Sequence, residues 1–309
     1  MAKKKLLIID TFNFLHRAYH ALPKTFKDPE GNPTNAIYGV TSMLINIFDS
    51  LQPDYAVAAV DGKDEETFRA KAFVQYKAHR KPMDEELAVQ IDPVLSIIDS
   101  FGIKRVVVEG YEADDVIGTI VTRFSPDPDL DIILASNDRD MWQLIKDNVL
   151  ILLPNTQDNV QWLGKKEADA RLGFDTKFIT DYKGLKGDTS DNIPGVKGIG
   201  DKTAINLIEI YGTLESIYEH LDEITPESLK NKLTDGRESA FMSKELATIV
   251  RDVPFEFELS QGRFTQFNKV DVKRELEKYN FKSLIRRLGF ETDPKKKIIE
   301  VAENQTALF

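Results

Sequence analysis

The chain has 309 residues, 41% apolar and 30% charged, a balance that suits a folded globular protein and excludes a disordered one. Lysine and arginine number 41 against 51 aspartates and glutamates, so the net charge is −10, which at first sight argues against a polyanionic partner. The absence of cysteine excludes disulfide scaffolds, thiolate zinc sites and thiol nucleophiles, and suits a cytoplasmic setting.

The start, Met1-Ala2-Lys3-Lys4-Lys5, is basic, but the apolar run 6–9 that follows is too short for a signal peptide. No run approaches the roughly 18 apolar residues of a membrane span, so no membrane partner is expected. Residues 6–9 read as a buried strand closed by Asp10, and Phe14, Leu15, Ala18 and Tyr19 continue at helical spacing. In chain order there follow a helix at 37–51, a strand at 55–60 closed by Asp61, a helix at 87–101 and a strand at 106–108. Then come a helix at 114–124, a strand at 132–135, a helix at 141–145 and a strand at 149–153. This alternation predicts an α/β fold, a central and mostly parallel sheet with helices on both faces, over residues 1–163. Past residue 163, helical patterns separated by glycine and proline predict a helical domain over 164–291, and the polar stretch 292–309 is expected to be a flexible tail.

In an open parallel sheet the site lies at the carboxyl ends of the strands. Acids cluster there: Asp10, Asp61, then Glu112, Asp114 and Asp115, then Asp138 and Asp140, and further on Asp188 and Asp191. One such acid is as readily a helix cap as a ligand. Caps do not explain three acids in four residues, and converging carboxylates repel unless a counter-charge is present. Oxygen-only donors with no cysteine favour Mg²⁺ or Mn²⁺ over zinc, and the number of acids implies two or more ions. Setting these nine acids aside from −10 leaves −1, so the remaining surface is near neutral and free to carry basic patches. Residues 63–81 carry a local +3 and residues 269–297 a local +5, either a solvated face or a phosphate-binding one.

The run Gly195-Val196-Lys197-Gly198-Ile199-Gly200, with Lys202 just beyond, joins two helical patterns. Glycines there permit a tight turn and close approach of backbone to phosphate, while Lys197 and Lys202 add charge. The plain alternative is a helix–turn–helix connection.

Five blocks taken together resemble the bacterial 5′ nuclease family, which includes the 5′–3′ exonuclease domain of DNA polymerase I, phage 5′ exonucleases and flap endonucleases. They are Leu7-Ile8-Ile9-Asp10 with Arg17; Phe68-Arg69 with Tyr76-Lys77-Ala78-His79-Arg80; Gly110-Tyr111-Glu112-Ala113-Asp114-Asp115; Asn137-Asp138-Arg139-Asp140; and Gly187-Asp188-Thr189-Ser190-Asp191-Asn192 running into the glycine hairpin. The resemblance implies a PIN-like nuclease core with a helical arch at about 63–86, and a helix–three-turn–helix that grips duplex DNA and holds K⁺. It implies that Asp10, Asp61, Glu112 and Asp114 hold a first metal and that Asp138, Asp140 and Asp191 hold a second, with Asp115 and Asp188 assisting through water. Arg17, Lys77 and Arg80 would act on the scissile phosphate, with Tyr76, Lys197, Gly198, Gly200 and Lys202 binding substrate. The implied substrate is DNA with a 5′ end or flap, or an RNA–DNA hybrid. Thr11 and Asn137 stand where the family usually has glycine; Asn tolerates φ > 0, so the second turn should survive. No polymerase domain follows, so a free-standing, active member is expected.

Two rivals are weaker. A phosphatase with an aspartyl nucleophile needs a second acid two residues after Asp10, where Phe12 stands. A decayed DNA-binding protein would not keep nine site acids. Finally, Gln305, Leu308 and Phe309 resemble the peptide by which bacterial replication proteins dock on the sliding clamp, two apolar anchors oriented by a glutamine.

Overall fold

The computed structural model describes residues 3–62, 67–153, 161–264 and 266–290. Its strands are β1 (Lys4–Asp10), β2 (Tyr55–Ala59), β3 (Lys104–Val106), β4 (Leu130–Ala135), β5 (Val149–Leu153) and β6 (Gln161–Leu163). They form one sheet in the order β3-β2-β1-β4-β5-β6, parallel except for the antiparallel β5–β6 pair. The order reverses between β1 and β4, where Ile9 pairs with Ala135, and a crevice opens there beyond the strand ends.

The α/β body carries α1 (Thr11–Ala21), α2 (Asn35–Leu51), α3 (Phe68–Ala72), α4 (Glu85–Ala88), α5 (Ile91–Ser100) and α6 (Ala113–Phe124). Side chains of β1 alternate between two buried layers, as a strand covered on both faces requires. Leu7 and Ile9 pack with α1, α2 and α5, whereas Leu6 and Ile8 pack with α6. The expected helix at 87–101 is two helices. Pro93 lies in the first turn of α5, where its missing N–H costs no helical bond. Between the two, the buried Gln90 turns its side-chain oxygen to the amides of Ala36 and Ile37, at 2.8 and 3.3 Å, at the start of α2. The third strand ends at Val106, and Val107 is half exposed at the sheet edge. Residues 140–144 form a 3₁₀ turn rather than an α-helix.

Beyond the sheet come α7 (Lys165–Leu172), α8 (Ile179–Lys186), α9 (Asp201–Tyr211), α10 (Leu214–Glu219), α11 (Glu227–Asp235) and α12 (Arg237–Ala247). Leu185, Ala204, Leu207, Leu214, Ile217 and Leu233 form a separate core among them. The last helices, α13 (Lys269–Glu277) and α14 (Lys282–Arg287), pack elsewhere: Val272, Leu276, Leu284 and Ile285 join the layer of α2 and α5. Sequence reading groups these two helices with the helical domain, but their apolar faces are buried on the α/β body. Among the described residues, the expected arch holds the five-residue helix α3, turns through residue 79 and the start of the short α4. No helix among the described residues is long and apolar enough to cross a membrane.

Candidate active site

The switch-point crevice is a cleft of about 640 Å³ lined by Asp10, Asp61, Glu112, Asp114 and Asp138, with Asn13, His16, Lys77 and Arg80 among its other walls. A second cleft, of about 770 Å³, shares Asn13 and Asp138 with the first and is lined by Asp140, Lys183 and Asp188. Acids from five chain segments thus face two adjoining spaces.

Local structure sets each acid. Asp10 ends β1 and caps α1, accepting from Asn13 N at 3.1 Å, while its other oxygen accepts from the Ser136 hydroxyl at 2.7 Å. Asp61 accepts from Ala113 N at 2.7 Å, at the start of α6, where an N-terminal dipole favours anions. Asp188 follows Gly187, whose φ of +80 starts a loop closed by reciprocal backbone bonds between Asp188 and Ile193. That loop also holds the arch base: Lys77 N donates to Asp191 O at 3.0 Å, and Asn192 Nδ2 donates to Gln75 O at 2.7 Å.

Three of the cations that line these clefts pair with candidate acids. Lys77 donates to Glu112 at 2.8 Å and Arg80 to Asp191 at 2.7 Å. Lys183 bonds Asp140 and lies 2.5 Å from Asp188. Tyr76 donates to Glu112 at 3.1 Å, and burial followed by the nearby Glu112 charge raises its pKa, so it remains a donor. The acids nevertheless crowd one another. Burial, then the Asp61 charge, pushes Asp10 up to about 7. Burial, then Asp138, raises Asp114 well above the carboxylate range, and burial raises Asp140 to about 6 despite Lys183. Asp188 goes the other way: burial opposes ionisation, but Lys183 and Ser190 hold it at about 2. Crowded oxygen donors short of positive charge fit hard divalent cations. Among the described residues no three acids converge closely enough to hold an ion as they stand, and Glu112, Asp191 and Asp140 are paired with Lys77, Arg80 and Lys183.

Several expected site residues lie apart from the clefts. Asp115 is fully buried and bonded bidentately to Arg69. Arg17 lines neither cleft; His16, one turn beyond Phe12, takes that face of α1. Lys197, Gly198 and Gly200 are exposed on the connection into α9, and Lys202 is exposed in its first turn. Gly195 and Gly198 have positive φ, but Gly200 is at −109° and simply precedes the helix. Asn137 is not among the residues with positive φ, so its turn makes no demand for glycine. Gln305, Leu308 and Phe309, and Lys63 of the arch, fall outside the described residues. Sequence reading gives Lys183, Ser136 and Arg69 no part in the site. Only Arg69 carries a signal, as a member of a matching basic block, whereas Ser136 lies just outside the matching acidic block and Lys183 is one lysine of many.

Residues 5–173 match the 5′-3′ exonuclease N-terminal resolvase-like domain, and residues 174–270 match the 5′-3′ exonuclease C-terminal SAM fold. DNA polymerase I of Caldicellulosiruptor bescii is 42% identical over 288 residues, covering 92% of this chain and 33% of that protein. The chain spans about a third of the length of the curated relatives it matches. The T5 5′-exonuclease with bound divalent zinc superposes with a TM-score of 0.64 at 22% identity, covering 97% of this chain and 100% of that one. A bacteriophage T5 flap endonuclease in a pseudo-enzyme-product complex with DNA and metal ions gives 0.65 at 19% identity, with the same coverage. The fold is therefore that of the 5′ nucleases. With both of its domains matched in order, the chain belongs to the 5′-3′ exonuclease family.

Proposed function

We propose that this chain is a divalent-metal-dependent 5′–3′ exonuclease and 5′-flap endonuclease that hydrolyses DNA phosphodiester bonds in replication and repair. The observation that carries the reading is the meeting of Asp10, Asp61, Glu112, Asp114 and Asp138 in one cleft with Lys77 and Arg80. Asp10, Asp61, Glu112 and Asp114 would hold one ion, and Asp138, Asp140 and Asp191 another, with Asp188 assisting. Mg²⁺ or Mn²⁺ suits these all-oxygen donors. When bound, such ions neutralise phosphate charge and act as Lewis acids.

The chain's own residues do the rest. Lys77 and Arg80 hang from the arch base with their charged ends on acids, placed to donate to a phosphodiester entering between them. Tyr76 remains protonated and fixes Glu112. Water adds to phosphorus, the bond to the 3′ oxygen breaks, and that oxygen takes a proton. The products are a 5′-phosphate and a 3′-hydroxyl. Lys197, Lys202 and the start of α9 would grip duplex backbone without reading bases, with K⁺ on the hairpin carbonyls. The substrate class extends to RNA–DNA hybrids, in the cytoplasm.

Mg²⁺-dependent turnover of a 5′-flap DNA tests the reading. Asp138→Asn should remove cleavage while leaving DNA binding in Ca²⁺ intact; near-normal cleavage by that variant defeats it. The clamp contact proposed for Gln305, Leu308 and Phe309 is tested separately: deleting Leu308 and Phe309 should abolish clamp association without changing cleavage of a free flap.

A further inference from the structure

Residues 246–253, leaving the helical unit, lie outside the sheet, so side chains must satisfy their backbone. Arg69 Nε donates to Leu246 O at 3.0 Å, and its Nη2 donates to Thr248 O at 2.8 Å. Val250 N donates to Asp115 Oδ1 at 2.9 Å. Arg69 and Asp115 face each other through two bonds of 2.7 Å and are 2% and 0% exposed. Close packing reinforces the join: a Cβ on Gly118 of α6 would sit 2.3 Å from the Ile249 side chain.

The same pair touches the acidic edge. Asp115 Oδ2 accepts from Glu112 N at 3.2 Å, and Arg69 Nη1 lies 3.5 Å from the Glu112 carboxylate. Arg69 belongs to α3, whose continuation carries Lys77 and Arg80. A carboxylate offers about four lone-pair sites. Those of Asp115 are taken, two on each oxygen, by Arg69 twice, Val250 N and Glu112 N.

We propose that Arg69 and Asp115 form a buried positioning clamp holding the arch base, the first turn of α6 and the exit of the helical unit in one register, and that Asp115 serves this clamp rather than a metal ion. The proposal rests on the nuclease reading for its kinetic arm only. Duplex held by the helical unit and a 5′ strand held at Lys77 and Arg80 then meet Glu112 in fixed geometry.

The test compares Arg69→Met, Asp115→Asn and the apolar double variant Arg69→Met/Asp115→Leu with the unaltered chain. Three readouts are the rise in melting temperature on adding Mg²⁺, duplex binding in Ca²⁺, and the single-turnover rate on a 5′-flap DNA. Both single variants should slow cleavage by a similar factor, about 10²-fold for a misplaced reacting group, with the Mg²⁺-induced shift and duplex binding retained. The double variant, which replaces a buried pair by apolar groups, should recover stability but not rate. If Arg69→Met does not fold, Arg69→Lys keeps the charge without the fork and should show the same loss in milder form. Loss of the Mg²⁺-induced shift in Asp115→Asn but not in Arg69→Met makes Asp115 a ligand and overturns the proposal, as do wild-type rates in both single variants. An unaltered chain that binds Mg²⁺ yet cleaves no flap defeats the nuclease reading instead, leaving the metal arm to decide the clamp.

Discussion

Lys77 Nζ and Glu112 Oε1 lie 2.8 Å apart, joining the arch base to the first residue of the α6 acidic cluster. Lys77 adopts φ +54, a left-handed conformation that a lysine takes only under constraint, and its amide is held by Asp191 O. The backbone is therefore bent to deliver this ammonium to the cleft. Lys77→Ala should lower the single-turnover rate by about 10²-fold, the loss expected for one removed electrostatic stabiliser. Affinity for DNA in Ca²⁺ should change by only a few-fold. A matching loss of affinity and rate would place Lys77 in ground-state binding.

A metal-free edge should make stability depend on pH. Asp10 rises from 3.8 to about 7 and Asp140 to about 6 in the folded chain. Between pH 4 and 7 the folded state then binds more protons than the unfolded one, so these groups' contribution is present below about pH 4 and is lost as pH rises toward 7. Asp188, held at about 2, contributes above pH 4, and that part is lost only as pH falls toward 2. Melting temperature in chelator should therefore decline from pH 5 to pH 7.5, and saturating Mg²⁺ should flatten or reverse the slope. A chelator profile that rises over that interval would contradict the assigned crowding.

How much of this the sequence discloses depends on whether the cause is local. The strand at 6–9 and the acid after it are legible because an apolar run ending in Asp10 is a local pattern, and the same holds for Asp61 and Asp138. The split of 87–101 falls at Gln90, whose side-chain oxygen accepts from the start of α2, a partner that no spacing within the segment reveals. Asp115 reads as one more acid of a cluster, since nothing beside it announces a bond to Arg69, 46 residues away. Trp162, a large apolar side chain of a type usually buried, lies on the edge strand β6 and is 44% exposed. Helix phase and long-range pairing decide these cases, and neither is written in the spacing alone.

Lys183 tests the counter-ion arrangement from the other cleft. Its ammonium bridges Asp140 and Asp188 and is largely shielded from solvent. Lys183→Met would leave two carboxylates facing each other, a change that costs about 3 kcal/mol when one member of a buried pair is removed. Melting temperature in chelator should fall accordingly, and Mg²⁺ should restore more stability to the variant than to the unaltered chain. Equal Mg²⁺-induced shifts in the two proteins would mean that Lys183 does not share its place with a metal.

The glycine hairpin separates a structural requirement from an incidental glycine. Gly195 has φ +64, and a Cβ there would lie 2.2 Å from Gly187 N, on the backbone that leads into Asp188. Its own N–H donates to Ser243 Oγ at 2.9 Å, and its carbonyl accepts from Ser239 at 2.6 Å, so α12 prevents it from moving away. Gly200, by contrast, has φ −109, and a Cβ there would meet nothing within 4 Å. Gly195→Ala should cost about 2 kcal/mol or more, combining left-handed strain with a backbone clash. Because the displaced neighbour is Gly187, the damage should reach both duplex binding in Ca²⁺ and the Mg²⁺-induced rise in melting temperature. Gly200→Ala meets no clash and should cost only about 0.5–1 kcal/mol, the difference between glycine and alanine at the N-cap of α9, and retain duplex binding. Chemical denaturation of both variants, with duplex titrations alongside, checks the contrast. Equal losses from the two would show that the hairpin needs glycine for close approach of phosphate throughout, and not for the packing of Gly195 against Gly187.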